Sequence, residues 1–300
     1  MSRVPGPIVV VGAHAQGLFL RVEAVPREGE TVLGFDFDEP FDGGKASNQA
    51  VAAARLGAPV VLVSVVGADE RGRRALRYFA EQGIDTSRIV VVDGATDVGF
   101  VMLPPSAIPA IAVAIERNRE LDGALVERAE HAIAAASVVV CQLEAPQEAA
   151  LAAFRIARGA GALTILNPAP VAPLDDELLA LTDVLVPNEH EAAALAGRDD
   201  EPGALAAELA GALACEAVIV TAGEAGAFVA AGDGVTGLAA PACTPVDTTG
   251  AGDAFVGALA VRLRAADGLV EAAAYAVRAA SLSVTRPGTM PAYASAAEIG

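Results

Sequence analysis

The residues of this chain best suited to chemistry lie in Asp247-Thr-Thr-Gly-Ala-Gly-Asp253, which runs directly into Ala-Phe-Val-Gly-Ala-Leu. Gly250, Ala251 and Gly252 offer bare backbone N–H groups where an Ala-rich pattern marks the start of a helix. Unpaired N–H groups and the positive end of the helix dipole favour an anion there, most often phosphate. A carboxylate beside phosphate is electrostatically costly, so Asp253 calls for a chemical reason. General-base activation of a hydroxyl that attacks the phosphate is one. The competing reading is a capped turn, with Asp247 or Thr249 as N-cap and the glycines easing a tight bend. Taken alone, the segment is compatible with both.

A second glycine-rich element, Asp42-Gly-Gly-Lys-Ala-Ser-Asn-Gln49, also leads into an Ala-rich helical pattern. Gly43 and Gly44 let backbone approach a ligand, Lys45 supplies a cation, and Asn48 carries donors and acceptors suited to hydroxyls. It is not a Walker A loop, because Glu39 stands where the first glycine belongs and Ala46 follows the lysine. Nor is Gly250-Ala-Gly252 a dinucleotide fingerprint, since Phe255 occupies the third glycine position. Alone, 43–48 reads equally as an ordinary helix entry.

The elements that must position these loops follow a regular rhythm. Short apolar runs at 8–12, 60–67, 137–144, 162–168, 183–188 and 217–223 alternate with helical stretches at 45–57, 70–83, 146–160, 189–197 and 203–214. Continuous apolar strands are buried on both faces, so the pattern predicts an α/β fold with a doubly wound, mostly parallel sheet flanked by helices. Ligands in such sheets bind outside the strand C-termini. Polar tails follow the strands there: Gln142 to Glu144, Asn167, Asn188 with Glu189, and Thr221 to Gly223. Residues 17–42 read as extended, and 97–116 as a hairpin around Pro104-Pro105. Together they predict a small β-sheet lid on a single domain spanning 1–300. The second segment is apolar on both faces, which points to a partner subunit and a homodimer through the lid.

Apolar residues make up 54% of the chain, aromatic ones 4%, and tryptophan is absent, so the core must be built from Ala, Val and Leu. A formal charge of −18 argues against nucleic-acid or anionic-membrane partners. Any anionic substrate must then be held by local N–H groups and a few cations. Cys141, Cys215 and Cys243 lie far apart with no CxxC, which fits a reducing cytoplasm better than a disulfide framework. The N-terminal apolar run is broken by Gly12 and His14 before it reaches signal or membrane length.

The two loops together resemble the PfkB family of carbohydrate kinases, in its ribokinase-like branch. GGKASNQAVAAARLGA is similar to that family's N-terminal motif, and DTTGAGDAFVGAL to its C-terminal motif. CQLEAP, LNPAP, PNEHEA and VTRPG match further family segments in order, so the resemblance spans essentially the whole chain. It implies that Asp253 takes the proton of a sugar hydroxyl, while the N–H groups of Gly250, Ala251 and Gly252 form the anion hole. It further implies that Gly44, Lys45, Asn48 and Glu144 contact the sugar. Asn188 and Glu191 match an NxxE motif that helps position Mg²⁺ through water and phosphate. On residue types alone the same pair is a helix N-cap with its capping box. Thr221 and Gly223 match a nucleotide-binding strand end, or else a turn before the next strand. A monovalent cation, usually K⁺, is implied beside the anion hole, held by Asp247 and by carbonyls of Thr249, Ser283, Arg286 and Gly288. A further family hydroxyl falls at Ala292, which has none.

One departure bears on the substrate. Ribokinase-like chains place an Asn and an Asp just after the first strand to grip sugar hydroxyls. Here the segment is Gly12-Ala-His-Ala-Gln-Gly17, with Ala15 and Gly17 at those positions. His14 or Gln16 could replace those contacts from a shifted backbone, but His14 reads more readily as a satisfied structural histidine and Gln16 as an exposed residue, while His131 and His190 read as helix-surface residues. The function implied is an ATP-dependent kinase acting on a primary hydroxyl of a small sugar or sugar-like molecule. The alternatives are a nucleoside or acidic-sugar kinase of the same family, and a non-catalytic sugar- or nucleotide-sensing relative.

Overall fold

The computed structural model describes residues 5–40, 43–106, 108–232 and 234–299. Its strands in chain order are β1 (Ile8–Val11), β2 (Gln16–Val22), β3 (Gly34–Asp38), β4 (Val60–Gly67), β5 (Ile89–Val92), β6 (Val98–Leu103) and β7 (Ala110–Ala114). They continue with β8 (Val138–Cys141), β9 (Leu163–Leu166), β10 (Val184–Leu185), β11 (Ala217–Thr221), β12 (Ala227–Ala231) and β13 (Gly234–Leu238). The helices are α1 (Lys45–Arg55), α2 (Glu70–Glu81), α3 (Gly123–Glu127), α4 (Glu130–Ala134), α5 (Gln147–Gly159) and α6 (Asp176–Ala180). After these come α7 (Glu189–Ala196), α8 (Pro202–Ala212), α9 (Ala251–Arg264), α10 (Leu269–Ser283) and α11 (Ala296–Ile299).

The main sheet has the order β13-β12-β11-β10-β9-β8-β1-β4-β5. All pairings from β11 to β5 are parallel, and β12 and β13 extend one edge antiparallel. This is the doubly wound architecture that the apolar runs predict. Side-chain alternation explains why those runs tolerate no polar break. Ile8, Val10, Val138 and Val140 point into one core, shared with Phe79 of α2 and the alanines of α1, α9 and α10. Val9, Val11, Val139 and Cys141 point into the other, against α5 and α8. Because β1 lies between β8 and β4, successive crossovers leave it in opposite directions. The order thus reverses between β1 and β8, and sheets of this kind bind ligands outside the strand C-termini at such a point.

The ladders are shorter than the apolar runs. β8 ends at Cys141 and β9 at Leu166, leaving Gln142, Glu144 and Asn167 past the last pairs. There the backbone bonds to loop carbonyls instead, as Leu143 N–H does to Ala169 O. Strands β5, β12 and β13 and helix α10 lie outside the elements read from sequence. A second sheet has the order β3-β2-β6-β7, with β2 and β6 parallel and the outer pairings antiparallel. It joins the two segments at 17–42 and 97–116 into one small sheet; residues 41, 42 and 107 of those segments lie outside the described residues. Among the described residues no helix is long and apolar enough to cross a membrane.

Candidate active site

Both glycine-rich loops open helices on the same side of the main sheet, and those helices pack on one another. Helix α9 starts at Ala251 after Gly250, whose φ of 75° is left-handed. A Cβ on Gly250 would lie 2.1 Å from Thr289 Cγ2, so only glycine fits. Helix α1 starts at Lys45 after Gly44, whose φ is 79° and whose Cβ would lie 2.7 Å from Ala13 O and Ala15 N. Asp253 lies in the first turn of α9, and Gly257, one turn later, shares its face. At Gly257 a Cβ would stand 2.7 Å from Ala52 Cβ and 2.8 Å from Gln49 O. The missing side chain thus lets α1 and α9 approach closely, and this brings Asn48 and Gln49 onto Asp253.

The carboxylate of Asp253 is 5% exposed and accepts two amide hydrogen bonds. Asn48 Nδ2 donates to Oδ2 at 2.8 Å and Gln49 Nε2 to Oδ1 at 2.9 Å. Gln49 Nε2 also reaches Asn167 Oδ1 at 3.1 Å, and Gln49 Oε1 accepts from Gln142 Nε2. Asn167 Nδ2 donates in turn to Val186 O at 2.8 Å. The polar tails of β8 and β9 therefore continue as a network that fixes the acid. Burial pushes the Asp253 pKa up, and Lys45, Asn48 and Gln49 pull back against it. The group is a stronger base than an ordinary aspartate, with a cation and two donors supporting its ionised form.

Lys45 is the local cation. Burial opposes its charge, but Asp253, Glu144 and Glu191 outweigh burial and hold its pKa above the ordinary lysine value. Glu144 Oε2 accepts the Lys45 backbone N–H at 2.6 Å. A carboxylate from the β8 tail thereby caps the positive end of α1. Burial raises the Glu144 pKa, with Lys45 acting against the shift.

Asn188 and Glu191 form a full capping box on α7. Asn188 Oδ1 accepts from Glu191 N at 2.8 Å, and Glu191 Oε2 accepts from Asn188 N at 2.9 Å. Burial raises the Glu191 pKa, and the charges of Lys45 and Asp253 both act on it, so it faces the same site. Thr221 bridges to Asn188 at the ends of β11 and β10, and Gly223 follows in a short turn with φ 50°.

Of the residues expected to hold a monovalent cation, the fold gathers Asp247, Thr249 and Gly288. Asp247 Oδ1 accepts from Thr249 N at 2.9 Å and Oδ2 from Gly288 N at 3.0 Å. Ser283 O accepts from Arg286 N at 3.2 Å, and the Arg286 guanidinium turns outward to Glu298. Ala292 is buried.

The segment after β1 sits directly against the Gly43-Gly44 loop. Ala13 and Ala15 are buried and carry no polar side-chain atoms. His14 is fully buried, with Nδ1 3.0 Å from Ser47 Oγ and its ring edge-on to Phe79. Burial depresses its pKa to about 4. It is the structural histidine anticipated from the sequence. Gln16 corrects the expectation of an exposed side chain: it is 1% exposed, with Nε2 donating to the Pro40 and Gly17 carbonyls. Gln16 is itself the first residue of β2, and the chain past β3 returns to it at Pro40. His131 and His190 lie on helix surfaces.

The comparisons with known proteins agree with this geometry. Residues 7–296 match the pfkB family carbohydrate kinase description. The chain belongs to the PfkB family of carbohydrate kinases. It is 35% identical over 286 residues to the ribokinase of Haemophilus influenzae, covering 94% of this chain and 93% of that one. It is 33% identical over 295 residues to a deoxyribokinase of Salmonella typhi, covering 96% and 95%. Arabidopsis thaliana ribokinase complexed with ribose and ATP superposes with a TM-score of 0.89 at 27% identity, covering 98% of this chain and 97% of that one. The protein is thus a sugar kinase with the ribokinase-like fold.

Gln49, Gln142 and Asn167, to which motif reading assigns no role, join the hydrogen-bond network around Asp253. The available signal is a polar run, Ser47-Asn-Gln49, inside a helix whose other early positions are buried alanines. A buried amide requires partners, and the polar strand tails were the candidates.

Proposed function

We propose that this kinase transfers the terminal phosphoryl group of ATP to a primary hydroxyl of a small sugar or sugar-like acceptor. The observation that carries the reading is Asp253. It is a buried, amide-oriented carboxylate in the first turn of a helix that opens on Gly250-Ala-Gly252. In this reading Asp253 takes the proton of the attacking hydroxyl. The N–H groups of Gly250, Ala251 and Gly252 hold the charge that develops on the transferring group. Gly44, Lys45, Asn48 and Glu144 bind the acceptor, and Asn188, Thr221, Gly223, Gly250 and Gly252 bind the nucleotide.

One lysine faces three carboxylates here, Asp253, Glu144 and Glu191. Such a site favours a nucleotide that arrives with its own divalent cation. Among the described residues no cluster of three or more His, Cys, Asp or Glu could hold a metal. Mg²⁺ held mainly by phosphate and water, with Glu191 nearby, fits that sparse donor set and neutralises the phosphates. The Thr249 hydroxyl is buried with no hydrogen-bond partner beside Asp247. This orphaned oxygen supports a K⁺ site formed by Asp247, Thr249, Ser283, Arg286 and Gly288.

Residues 17–42 and 97–116, joined in the second sheet, serve as the lid of a single 1–300 domain. Across the sheet's two faces Phe35 is 47%, Phe37 62%, Phe100 49% and Ile111 53% exposed. Strand register puts Ile111 on the face of Phe19 and Val101, and Phe100 on the face of Leu18. Apolar surface on both faces supports a homodimer through the lid. The free thiols of Cys141, Cys215 and Cys243 suit a cytoplasmic location.

Ala15 and Gly17 give the acceptor no side-chain hydrogen bonds, and Gln16 Nε2 is committed to backbone carbonyls, leaving only its Oε1 unpaired. An acceptor with fewer hydroxyls at that end than ribose fits best. ATP consumption measured over ribose, 2-deoxyribose, hexoses, sugar acids and nucleosides tests the proposal. Turnover of a sugar supports it, and preference for a nucleoside or sugar acid replaces the acceptor class. Absence of turnover with every compound, despite measurable binding, overturns it in favour of a sensor.

A further inference from the structure

We propose that His14 and Ser47 are positioning residues: together they fix the Gly43 carbonyl and so hold in place the loop that orients Asn48 and, through it, Asp253. The proposal rests on Asp253 as the base. Ser47 Oγ lies 2.6 Å from Gly43 O, 3.1 Å from Gly44 O and 3.0 Å from His14 Nδ1. Gly43 N donates to Asn48 Oδ1 at 3.3 Å, and Asn48 Nδ2 donates to Asp253 Oδ2 at 2.8 Å. The connected path is therefore His14, Ser47, Gly43, Asn48, Asp253.

The cost of the imidazole argues that it is kept for Nδ1. His14 Nε2 is buried with no partner, and the ring otherwise touches Phe79. A leucine or phenylalanine would fill that space without an unpaired polar atom. The two glycines that the pair anchors have φ of 143° and 79°, a backbone with little intrinsic preference for one conformation. Such a loop needs outside bonds to stay in a single arrangement.

The far end of the path is the root of the second sheet. Asn118 Oδ1 accepts His14 N at 3.1 Å, and Asn118 Nδ2 donates to His14 O at 2.7 Å and to Asp97 Oδ2 at 2.7 Å. Asp97 Oδ1 accepts the N–H groups of Glu116 and Arg117, and Asp97 O accepts Gln16 N at 2.8 Å. Asp97 immediately precedes β6, and Asn118 follows β7, so both strands of that hairpin leave the core at this hub. His14 is pinned to it through its backbone and to the active-site loop through its ring.

Four variants test the proposal: His14→Asn, His14→Phe, Ser47→Ala and the double variant His14→Phe with Ser47→Ala. Amide hydrogen exchange across 43–49 needs no acceptor and is read first. ATP turnover is then measured with whichever of ribose and 2-deoxyribose the parent uses faster. His14→Phe and Ser47→Ala should each speed exchange at 43–49 and lower kcat about tenfold, with KM for ATP unchanged. The double variant should be no worse than either single one, because the two act on one bond path. His14→Asn, whose amide N–H can replace Nδ1–H, should restore both readouts to within about threefold of the parent. Parent-like exchange at 43–49 in His14→Phe overturns the proposal. So does a His14→Asn variant no better than His14→Phe, or exchange that rises equally throughout β1 and α2. Retained turnover in Asp253→Asn would instead overturn the base assignment while leaving the exchange result standing.

Discussion

Replacing Asp253 by asparagine keeps the side-chain size and converts one oxygen to an NH₂. Both carboxylate oxygens now accept an amide, Asn48 Nδ2 at 2.8 Å and Gln49 Nε2 at 2.9 Å. Whichever way the new amide turns, its NH₂ meets one of those donors. Neither partner can flip without loss, because Asn48 Oδ1 holds Gly43 N and Gln49 Oε1 holds the Gln142 amide. One buried polar group is left unpaired, at a cost of about 1–3 kcal/mol. In the other direction, the substitution removes a charge that burial already disfavours. The net loss of folding stability should be about 1–2 kcal/mol, or a fall in Tm of about 2–4 °C per kcal/mol. Catalysis should suffer far more, since loss of a general base lowers kcat about 10²- to 10⁴-fold. ATP binding by calorimetry, melting by circular dichroism and turnover by coupled ATP consumption separate these effects. A kcat within about tenfold of the parent, with the fold intact, would remove Asp253 from the role of base.

Three further outcomes follow from the same geometry. His14 is neutral in the fold with a pKa near 4, against 6.5 when unfolded, so the unfolded chain binds the extra proton between those values. His14 therefore carries no protonation penalty above pH 7, and stability should fall as pH drops from 6.5 to 4, by roughly 3 kcal/mol in total. His14→Asn should flatten that part of a urea-denaturation profile; the nearby Asp97 and Asp69 remain in both proteins, and identical profiles would refute the assignment. Activity should be several-fold higher in KCl than in NaCl at equal ionic strength, and equal rates would exclude a K⁺ site at Asp247 and Thr249. Phe100→Lys with Ile111→Lys should convert the proposed dimer to monomer in analytical ultracentrifugation, whereas a parent protein that sediments as a monomer would exclude the lid interface.

The alternation of apolar runs with Ala-rich stretches was sufficient to predict the doubly wound sheet, because a strand covered on both faces admits no polar position. The loops at 43–48 and 247–253 were legible only as a pair, since each alone fits an ordinary capped turn or helix entry as well as a binding loop. Strand ends were less so: the runs at 137–144 and 162–168 continue past their ladders, and hydrogen-bonding partners, not side-chain type, decide where pairing stops. Gln16 shows the same limit. A glutamine between alanine and glycine looks solvent-facing, yet as the first residue of β2 it is buried, with Nε2 on the carbonyl of Pro40, a residue 24 positions away.

What the sequence determined by itself was the chemistry on offer: a carboxylate beside bare N–H groups, a lysine and amides at a second glycine loop, and a family in which such groups belong together. Only the tertiary structure decided how Asp253 is held. Gly257 lets α1 and α9 close on one another, Gln49 and Asn48 take one carboxylate oxygen each, and the tails of β8 and β9 complete the network. These contacts join residues separated by more than two hundred positions in some cases, as Asn48 and Asp253 are. Their geometry depends on how closely two helices pack, a distance that no local pattern of residues encodes.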